Sequence, residues 1–295
     1  MTGNVFTDHT ISYYDTGTPI SFSDVMVVFG TYKDKEGITF QDANGCRVAN
    51  NTISSPVINY PNDDQHRTRC IYFYMNNTEI ENSNNVVENN SCVGQFIPAI
   101  YFSGPGSKYQ SNWIINNLID SSGVSGNASS TCFQINTSND NAKLGTNYFM
   151  NNTCVSDGVN IGLGLNSAYA GKWVFRNNII KSSAIILLGF YNSSGDMTFQ
   201  NNIYYPNDTA SSIPYSPILT EGGGTSPRDF AAWQSLGFDT GSSEGDPLFE
   251  NEAADDYQLQ PGSIAIDAGK WSGLISDKLG NARSGMPDIG ALERQ

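Results

Sequence analysis

The stretch VFRNNIIKSS, residues 174–183, places a pair of asparagines between apolar residues. The same arrangement recurs at five other places in the chain of 295 residues. The six pairs are Asn50–Asn51, Asn89–Asn90, Asn116–Asn117, Asn151–Asn152, Asn177–Asn178 and Asn201–Asn202. Successive pairs are 24 to 39 residues apart, which indicates one structural unit repeated with connecting loops of different lengths.

Each asparagine pair lies between two apolar columns, which we predict to point into a common core. The column two residues before the first asparagine contains Val48, Val87, Ile114, Phe149, Phe175 and Phe199. The column two residues after the second asparagine contains Ile53, Cys92, Ile119, Cys154, Ile180 and Tyr204. This recurrence shows that the units share one cross-section.

A further strand precedes each asparagine pair, with apolar residues at the strand period of two. Its predicted inward residues are Ile38/Phe40, Ile71/Phe73, Ile100/Phe102, Phe133/Ile135, Ile161/Leu163 and Ile185/Leu187. A unit of two or more short strands cannot bury its apolar face alone, so neighbouring units must stack to form a core.

These patterns predict an all-β fold, a parallel β-helix solenoid with roughly 4.8 Å between stacked strands. Asparagine suits the corners because it tolerates the left-handed backbone conformation. We expect the amides of the second asparagines to form a hydrogen-bonded ladder from unit to unit. That ladder would contain Asn51, Asn90, Asn117, Asn152, Asn178 and Asn202.

The five cysteines form no CxxC motif and no Cys/His cluster typical of zinc. Their odd number implies at least one free thiol in a monomer. Cys92 and Cys154 share a column but lie two units apart, roughly 9–10 Å at the strand spacing, which is too far for a disulfide. We therefore interpret both as small buried apolar residues.

The last third of the chain contains one predicted helix, SPRDFAAWQSLG, at 226–237. Ser226 suits the N-cap, Pro227 the first helical position and Gly237 the end. Trp233 on this helix is interpreted as a packing residue. We expect residues 1–205 to form the repeat units, and residues 206–295 to pack on them within a single domain.

The C-terminal segment adds a set of charged residues that we interpret as structural ion pairs. They are Asp267, Asp277, Arg283, Asp288 and Glu293. We predict that these pairs fasten a wrapping tail to the repeat units.

The asparagine ladder over 38–205 resembles the right-handed parallel β-helix superfamily, often called pectate-lyase-like. The segments GDPLFENEAADDYQLQPGSIAIDAG (245–269) and DKLGNARSGMPDIGALE (277–293) resemble the C-terminal part of many secreted bacterial β-helix proteins that act on polysaccharides. The resemblance implies a right-handed solenoid, a secreted or cell-surface location and a polysaccharide partner. It does not select an activity, because this fold serves lyases, hydrolases, epimerases, adhesins and binding modules.

The net charge of −14 disfavours nucleic acid, and it disfavours anionic polysaccharides unless a cation bridges them. No apolar stretch approaches the roughly 18 residues of a membrane span, so we expect no membrane partner. No signal peptide is visible, and MTGNVFTDHT (1–10) opens on strand-like sequence. We therefore expect a domain of a longer secreted chain.

In each unit, the strand that precedes the asparagine pair has no charged residue at its outward positions, where a lyase or a glycoside hydrolase would need one. These positions are Thr39/Gln41, Tyr72/Tyr74, Tyr101/Ser103, Gln134/Asn136, Gly162/Gly164 and Ile186/Leu188. Charged residues gather instead in the loop NDDQHRTR (62–69), where Asp63 and Asp64 suit calcium and His66 or Arg67 suits a base. The alternative is a solvated loop of mixed charge.

Aromatic residues on the outward columns indicate neutral glycan binding, since rings pack on the apolar faces of sugars while amides meet their hydroxyls. One predicted surface contains Tyr72, Tyr74, Tyr101, Gln134 and Asn136. A second contains Trp113 and Tyr148, flanked by Val86 and Val174. The alternative for both surfaces is cross-strand packing beneath loops.

Taken with the resemblance, these residues lead us to expect a non-catalytic carbohydrate-binding module. It is similar to the β-helical modules attached to xylan-degrading enzymes, which implies a covalently linked catalytic domain and a neutral plant cell-wall ligand such as xylan. We expect no cofactor, with calcium as an open alternative. A polysaccharide lyase or glycoside hydrolase using the 62–69 loop, and a structural or adhesive module, also remain open.

Overall fold

The structure is a computed structural model of the chain. It describes residues 5–7, 10–12, 35–41, 45–55, 68–74, 82–94, 96, 98–104, 109–121, 132–137, 145–156, 161–165, 172–182, 186–191, 197–206, 215–218, 229–235 and 237–295. Within these ranges nearly all regular structure is β-strand, with one α-helix and one short 3-10 helix.

The elements in chain order are β1 (Val5–Thr7), β2 (Thr10–Ser12), β3 (Lys35–Gln41), β4 (Arg47–Ala49), β5 (Thr52–Ser55), β6 (Thr68–Tyr74), β7 (Asn82–Ser83), β8 (Val86–Glu88), β9 (Ser91–Gly94), β10 (Ile100–Gly104), β11 (Tyr109–Gln110), β12 (Trp113–Ile115), β13 (Leu118–Ser121), β14 (Phe133–Thr137), β15 (Asn147–Met150), β16 (Thr153–Ser156), β17 (Ile161–Leu165), β18 (Trp173–Arg176), β19 (Ile179–Ser182), β20 (Ile186–Tyr191), β21 (Met197–Gln200), β22 (Ile203–Pro206), β23 (Tyr215–Ile218), α1 (Phe230–Ser235), β24 (Ser243–Glu244), β25 (Phe249–Asn251), a 3-10 helix (Glu252–Ala254) and β26 (Asp256–Leu259).

Three parallel sheets contain most of these strands. The first sheet has the order β3-β6-β10-β14-β17-β20-β23, the second β1-β4-β8-β12-β15-β18-β21 and the third β2-β5-β9-β13-β16-β19-β22-β24. Each repeat unit, for example β10, β12 and β13, adds one strand to each sheet in turn. This order, with every strand parallel to its equivalents in adjacent units, is consistent with a β-helix-like fold.

The two apolar columns beside the asparagine pairs are buried as predicted. Every one of their twelve side chains is at most 3 % exposed. They pack with Phe73, Phe102 and Phe133 of the first sheet, so the main core lies between the sheets. The register of the strands explains this burial, since each column runs straight through adjacent units.

The predicted asparagine ladder is confirmed. Each second asparagine donates from its Nδ2 atom to the Oδ1 atom of the next, at 3.0 to 3.2 Å. The ladder ends at Asn202, whose amide donates to the buried carboxylate of Asp239 at 3.2 Å. These bonds satisfy amides that are almost completely withdrawn from water.

The left-handed corners belong to the first asparagine of each pair, for which φ lies between 52° and 57°. Their amides also hold the C-terminal tail. Asn201 and Asn177 donate to the carbonyls of Ala268 and Lys270, at 3.1 and 2.7 Å. Asn116 donates to the carbonyl of Ser276 at 2.9 Å, so the tail runs back along the row of corners.

A second ladder, which we did not predict, lies at the corner before the second sheet. Asn85 donates to Asn112, and Asn112 donates to Asn147, both at 2.9 Å. The backbone nitrogen of Cys46 extends this ladder by donating to Asn85 at 2.9 Å. The signal was present in the sequence, because each of these asparagines precedes the first asparagine of its unit by four residues.

The interpretation of Cys92 and Cys154 as unbonded apolar residues is wrong. Cys92 is bonded to Cys70 and Cys154 to Cys132, and Cys46 is the one cysteine of the five that forms no disulfide. Cys92 and Cys154 do lie too far apart along their shared column to bond to each other, but each has a partner within its own unit. The two cysteines of each disulfide are 22 residues apart in the sequence, and this equal spacing indicates the pairing.

The predicted register of the first sheet is wrong after β14. Phe133 pairs with Leu163 rather than Ile161, and Leu163 pairs with Leu188. Ile186 and Leu188 therefore share columns with Ile161 and Leu163, instead of the outward columns in which we predicted them. The error at β17 is two residues and keeps the predicted faces, whereas the error at β20 is one residue and reverses them. The consecutive apolar residues IILL (185–188) show no alternation that identifies the inward face.

Helix α1 begins later than predicted, at Phe230, so Ser226 is not its N-cap and Pro227 is not its first position. Asp229 accepts a hydrogen bond from the Ala232 nitrogen at 2.8 Å, and Gly237 follows the helix with a φ of +87°. Trp233 is a packing residue as predicted, since it is 1 % exposed and its ring stacks on Phe238 at 4.4 Å.

The C-terminal tail covers the outer face of the third sheet. Leu118, Val155, Ile179 and Ile203 of that sheet form a second apolar cluster with Phe249, Tyr257, Leu259, Ala265, Ile289 and Leu292 of the tail. The ion pair between Arg283 and Glu293 is confirmed at 2.8 Å. Asp277 and Asp288 instead accept backbone hydrogen bonds, and the side chain of Asp267 is exposed.

Candidate functional site

Trp113 and Tyr148 form a stacked aromatic pair on the outer face of the second sheet. They lie in register on β12 and β15, with ring centroids 4.0 Å apart and ring planes inclined by 21°. Val86 precedes the pair and Val174 follows it in the same column, as predicted. All four side chains are partly exposed, and they form what we call the aromatic strip.

The rings of the aromatic strip face each other, so the shared faces are occupied. The surface available to a ligand therefore consists of the outward ring edges and the two valines. Four successive strands at about 4.8 Å make the strip roughly 14 Å long, along the stacking direction of the sheet. This shape suits an extended ligand better than a compact one.

Polar side chains lie at both ends of the aromatic strip. Arg47 pairs in register with Val86 and forms an ion pair with Glu88. Thr198 pairs with Val174 at the other end, and nearby Arg176 donates to Gln200 at 3.0 Å. The aromatic strip is therefore bounded at both ends by polar groups that can bind hydroxyls. The arginine at each end already interacts with a neighbouring side chain.

The surface predicted around Tyr72 and Tyr101 is more closed. The two rings lie 5.3 Å apart at an angle of 12°, and the register with Gln134 is as predicted. Tyr101 is only 6 % exposed, however, and the guanidinium of Arg69 lies 4.5 Å from the Tyr72 ring and 4.9 Å from the Tyr101 ring. This cation–π packing occupies ring surface that a sugar would need.

The other residues of the surface predicted around Tyr72 and Tyr101 add little exposed side-chain area that the structure describes. Tyr72 and Gln134 are partly exposed, while the side chains of Tyr74 and Asn136 lie outside what the structure describes. Gln134 pairs with Gly164, and Gly164 pairs with Gly189. The column therefore loses its side chains immediately beyond Gln134.

The candidate catalytic loop falls outside the described ranges. The described part of the chain resumes at Thr68, where β6 begins. The four predicted catalytic residues precede it and are not described: Asp63, Asp64, His66 and Arg67. The one charged residue of this motif whose side chain is described, Arg69, is 4 % exposed and packs on the two tyrosines. The proposed calcium-plus-base arrangement stays a prediction.

A cleft that we did not predict lies where the tail meets the third sheet. Its volume is about 300 Å³, and its walls include Leu118, Tyr257, Lys278 and Leu292. The Tyr257 hydroxyl donates a hydrogen bond to the buried Asp120 carboxylate. The cleft escapes sequence reasoning because residues about 140 positions apart meet only once the tail has docked.

Three pKa values around this cleft are displaced. Desolvation raises the pKa of the Asp255 carboxyl, and the neighbouring Asp120 carboxylate raises it further. Desolvation also raises the pKa of the Tyr257 hydroxyl and lowers the pKa of the Lys278 ammonium. Displaced pKa values within a cleft are a general feature of functional sites.

Within the described ranges, no group of three or more His, Cys, Asp or Glu side chains is arranged to hold a metal ion. In the same part of the chain, no helix has both the length and the apolar character needed to cross a membrane. The two disulfides are typical of proteins that mature in an oxidising compartment.

Comparison with known proteins adds no assignment. No protein-family model matches the chain, and no curated protein matches it either. The aromatic strip and the cleft are therefore the features from which a function can be inferred.

Proposed function

We propose that the chain is a non-catalytic carbohydrate-binding module, a right-handed parallel β-helix solenoid of the pectate-lyase-like type. Its ligand is a neutral, extended polysaccharide of the plant cell wall, such as xylan. The module is secreted or displayed at a cell surface as part of a bacterial polysaccharide-degrading enzyme, to whose catalytic domain it is covalently linked.

The aromatic strip is the observation that carries this proposal. Trp113 and Tyr148 remain partly exposed while other aromatic residues of the repeat units, such as Phe149 and Phe175, are buried. Tryptophan and tyrosine edges with adjacent valines offer apolar surface to the CH groups of a sugar chain. The length of the strip along the stack supports binding of several successive sugars.

Charge supports a neutral ligand. The net charge of −14 repels polyanions such as pectate, and the ion pair with Glu88 uses Arg47, one of the cations at the ends of the strip. A xylan chain carries hydroxyls that the polar ends of the strip can bind, and it requires no counter-charge.

Isothermal titration calorimetry with soluble xylan tests this proposal, with polygalacturonate plus calcium as the contrasting ligand. The proposal predicts heat that saturates with xylan and returns to baseline after each injection, and no heat with polygalacturonate. Sustained heat after each injection would signal turnover and support a lyase or hydrolase instead. No heat with either polymer would overturn the proposed function and leave a structural or adhesive module.

A further inference from the structure

The cleft at the edge of the tail lies apart from the aromatic strip and is not used by the proposed function. It belongs to the third sheet, whereas the strip belongs to the second. Its floor is Leu118 of β13 and Ser91 of β9, and its other walls come from residues 255–258, 278–279 and 292 of the tail. It is therefore a separate candidate site.

The lining divides into an apolar side and a polar side. Leu118, Leu279 and Leu292 supply apolar surface, and Leu279 is 61 % exposed. Asp255, Asp256, Gln258 and Lys278 supply acceptors and donors. A few polar groups converging on an apolar wall are the usual composition of a small-molecule site, and about 300 Å³ is at the small end of the range for such sites.

The polar side favours a ligand that donates hydrogen bonds. The Asp255 and Asp256 carboxyls line the cleft, and their oxygens accept hydrogen bonds from a ligand. The Tyr257 hydroxyl of the same wall already donates to one oxygen of the buried Asp120 carboxylate. Hydroxyl groups can donate to these carboxylates and accept from the Lys278 ammonium.

The position of the cleft connects it to open sheet surface. Leu118 pairs with Ser91, and Ser91 pairs with Thr52, along one outward column of the third sheet. Leu118 is covered by the tail, Ser91 is partly exposed and Thr52 is exposed. Short side chains therefore lead from the uncovered part of the sheet into the cleft, which leaves room for a chain whose end enters it.

We propose that this cleft binds a single neutral, hydroxyl-rich ring, namely one sugar residue at the end of a glycan. The leucines pack on its apolar face, and Asp255 and Lys278 bind its hydroxyls. The choice of a sugar rests on the proposed function, whereas the cleft and its hydrogen-bonding character rest on the geometry given above.

Ligand-observed NMR titration of the whole chain with D-xylose tests the inference. Asp255→Asn removes the charge of an exposed residue, and we expect it to weaken xylose binding about tenfold, the loss typical of one charge-assisted hydrogen bond. Gln258→Ala, also an exposed change, should weaken binding less. Glu250→Gln, on β25 outside the cleft, is the matched control and should bind as the wild type does.

The outcomes separate this inference from the proposed function. Xylose binding that Asp255→Asn weakens and Glu250→Gln leaves unchanged supports the cleft, even when xylan gives no heat in calorimetry. Absence of xylose binding, or binding that neither Asp255→Asn nor Gln258→Ala weakens, overturns the cleft. If the cleft is overturned in this way and xylan still gives saturable heat in calorimetry, the aromatic strip remains as the polysaccharide site.

Discussion

Cys70 and Cys92 join the first and third strands of one repeat unit, with their Cα atoms 5.8 Å apart. Cys132 and Cys154 form the same connection two units later. Between them, Ile119 occupies the position of Cys92 and Cys154 in the third sheet. Each disulfide therefore closes a single unit across the core instead of linking one unit to the next.

Removing either disulfide should destabilise the protein. Each closes a loop of 22 residues, for which the loss of chain entropy in the unfolded state contributes about 3 kcal/mol. Cys70→Ala with Cys92→Ala should lower the free energy of unfolding by about that amount in guanidinium denaturation. Cys46→Ala, which removes a thiol that forms no disulfide, should cost about 1 kcal/mol. Labelling of the denatured, unreduced protein should modify one cysteine, and modification of all five would refute the pairing.

Breaking the asparagine ladder in the middle should cost more than changing an exposed corner. Asn152 accepts from Asn117 and donates to Asn178 and to the Ile114 carbonyl. Asn152→Ala leaves buried groups unsatisfied, so we expect a loss of about 3 kcal/mol or more in unfolding free energy.

The matched control for the ladder is Asn50→Gly. Asn50 is exposed, and glycine readily adopts its φ of 57°. Thermal and denaturant unfolding should show little change in this variant. Equal losses for Asn152→Ala and Asn50→Gly would mean that the ladder adds nothing beyond the corner conformation.

Asp239 should make stability depend on pH. Burial raises the pKa of its carboxyl above the usual 3.8, although four side chains donate hydrogen bonds to it. These donors are Asn202, Tyr204, Trp233 and Ser242. A raised pKa means that the folded protein holds the proton more tightly than the unfolded chain does. The contribution of Asp239 to stability is therefore largest below pH 3.8 and decreases as the pH rises through its folded pKa.

Asp239→Asn removes this titration. The free energy of unfolding of the wild type, measured relative to that of the variant, should fall as the pH rises from 3.8 toward neutrality. Denaturation at a series of pH values gives this difference directly. A difference that stays constant with pH, or that rises, would contradict the predicted direction of the pKa change.

Arg283 should be essential for docking the tail. Its side chain is fully buried and donates to Glu293 at 2.8 Å, to the Gly290 carbonyl at 2.8 Å and to Asn116 at 3.2 Å. Arg283→Ala leaves the Glu293 carboxylate without its ion pair, a change that typically costs about 3–5 kcal/mol in a buried pair. Limited proteolysis with mass spectrometry should then show new cleavage within 245–295.

The exposed Arg294 supplies the control for Arg283. Its backbone nitrogen donates to Asp288, a bond that Arg294→Ala retains. The variant should resist protease as the wild type does. Protection of the tail in Arg283→Ala would show that the apolar cluster around Tyr257 and Leu292 is sufficient to dock it.

Much of the fold can be predicted from the asparagine pairs, because one residue type meets two requirements that repeat in every unit. The first asparagine adopts the left-handed corner and the second satisfies the ladder. The apolar columns follow from the same alignment. Prediction fails in β20, where the consecutive apolar residues IILL (185–188) show no alternation and an error of one residue reverses the assigned faces.

The candidate site was less predictable, because the exposure of an aromatic side chain depends on neighbouring residues whose positions the sequence pattern does not give. Tyr72 and Tyr101 stack as expected, but Arg69, a member of a different predicted motif, covers them. Trp113 and Tyr148 also stack on adjacent strands, and both remain partly exposed. The cleft depends on contacts between Asp120 and the distant tail, which no local pattern contains.

Calorimetric titration of soluble xylan into the wild type, Trp113→Ala and Trp271→Ala tests the central claim most directly. Trp271, which is 54 % exposed on the tail, is the matched control for loss of an exposed indole. We expect saturable binding by the wild type and by Trp271→Ala, and binding at least about tenfold weaker by Trp113→Ala while its thermal unfolding remains cooperative. Wild-type affinity in Trp113→Ala would contradict the aromatic strip as the polysaccharide site.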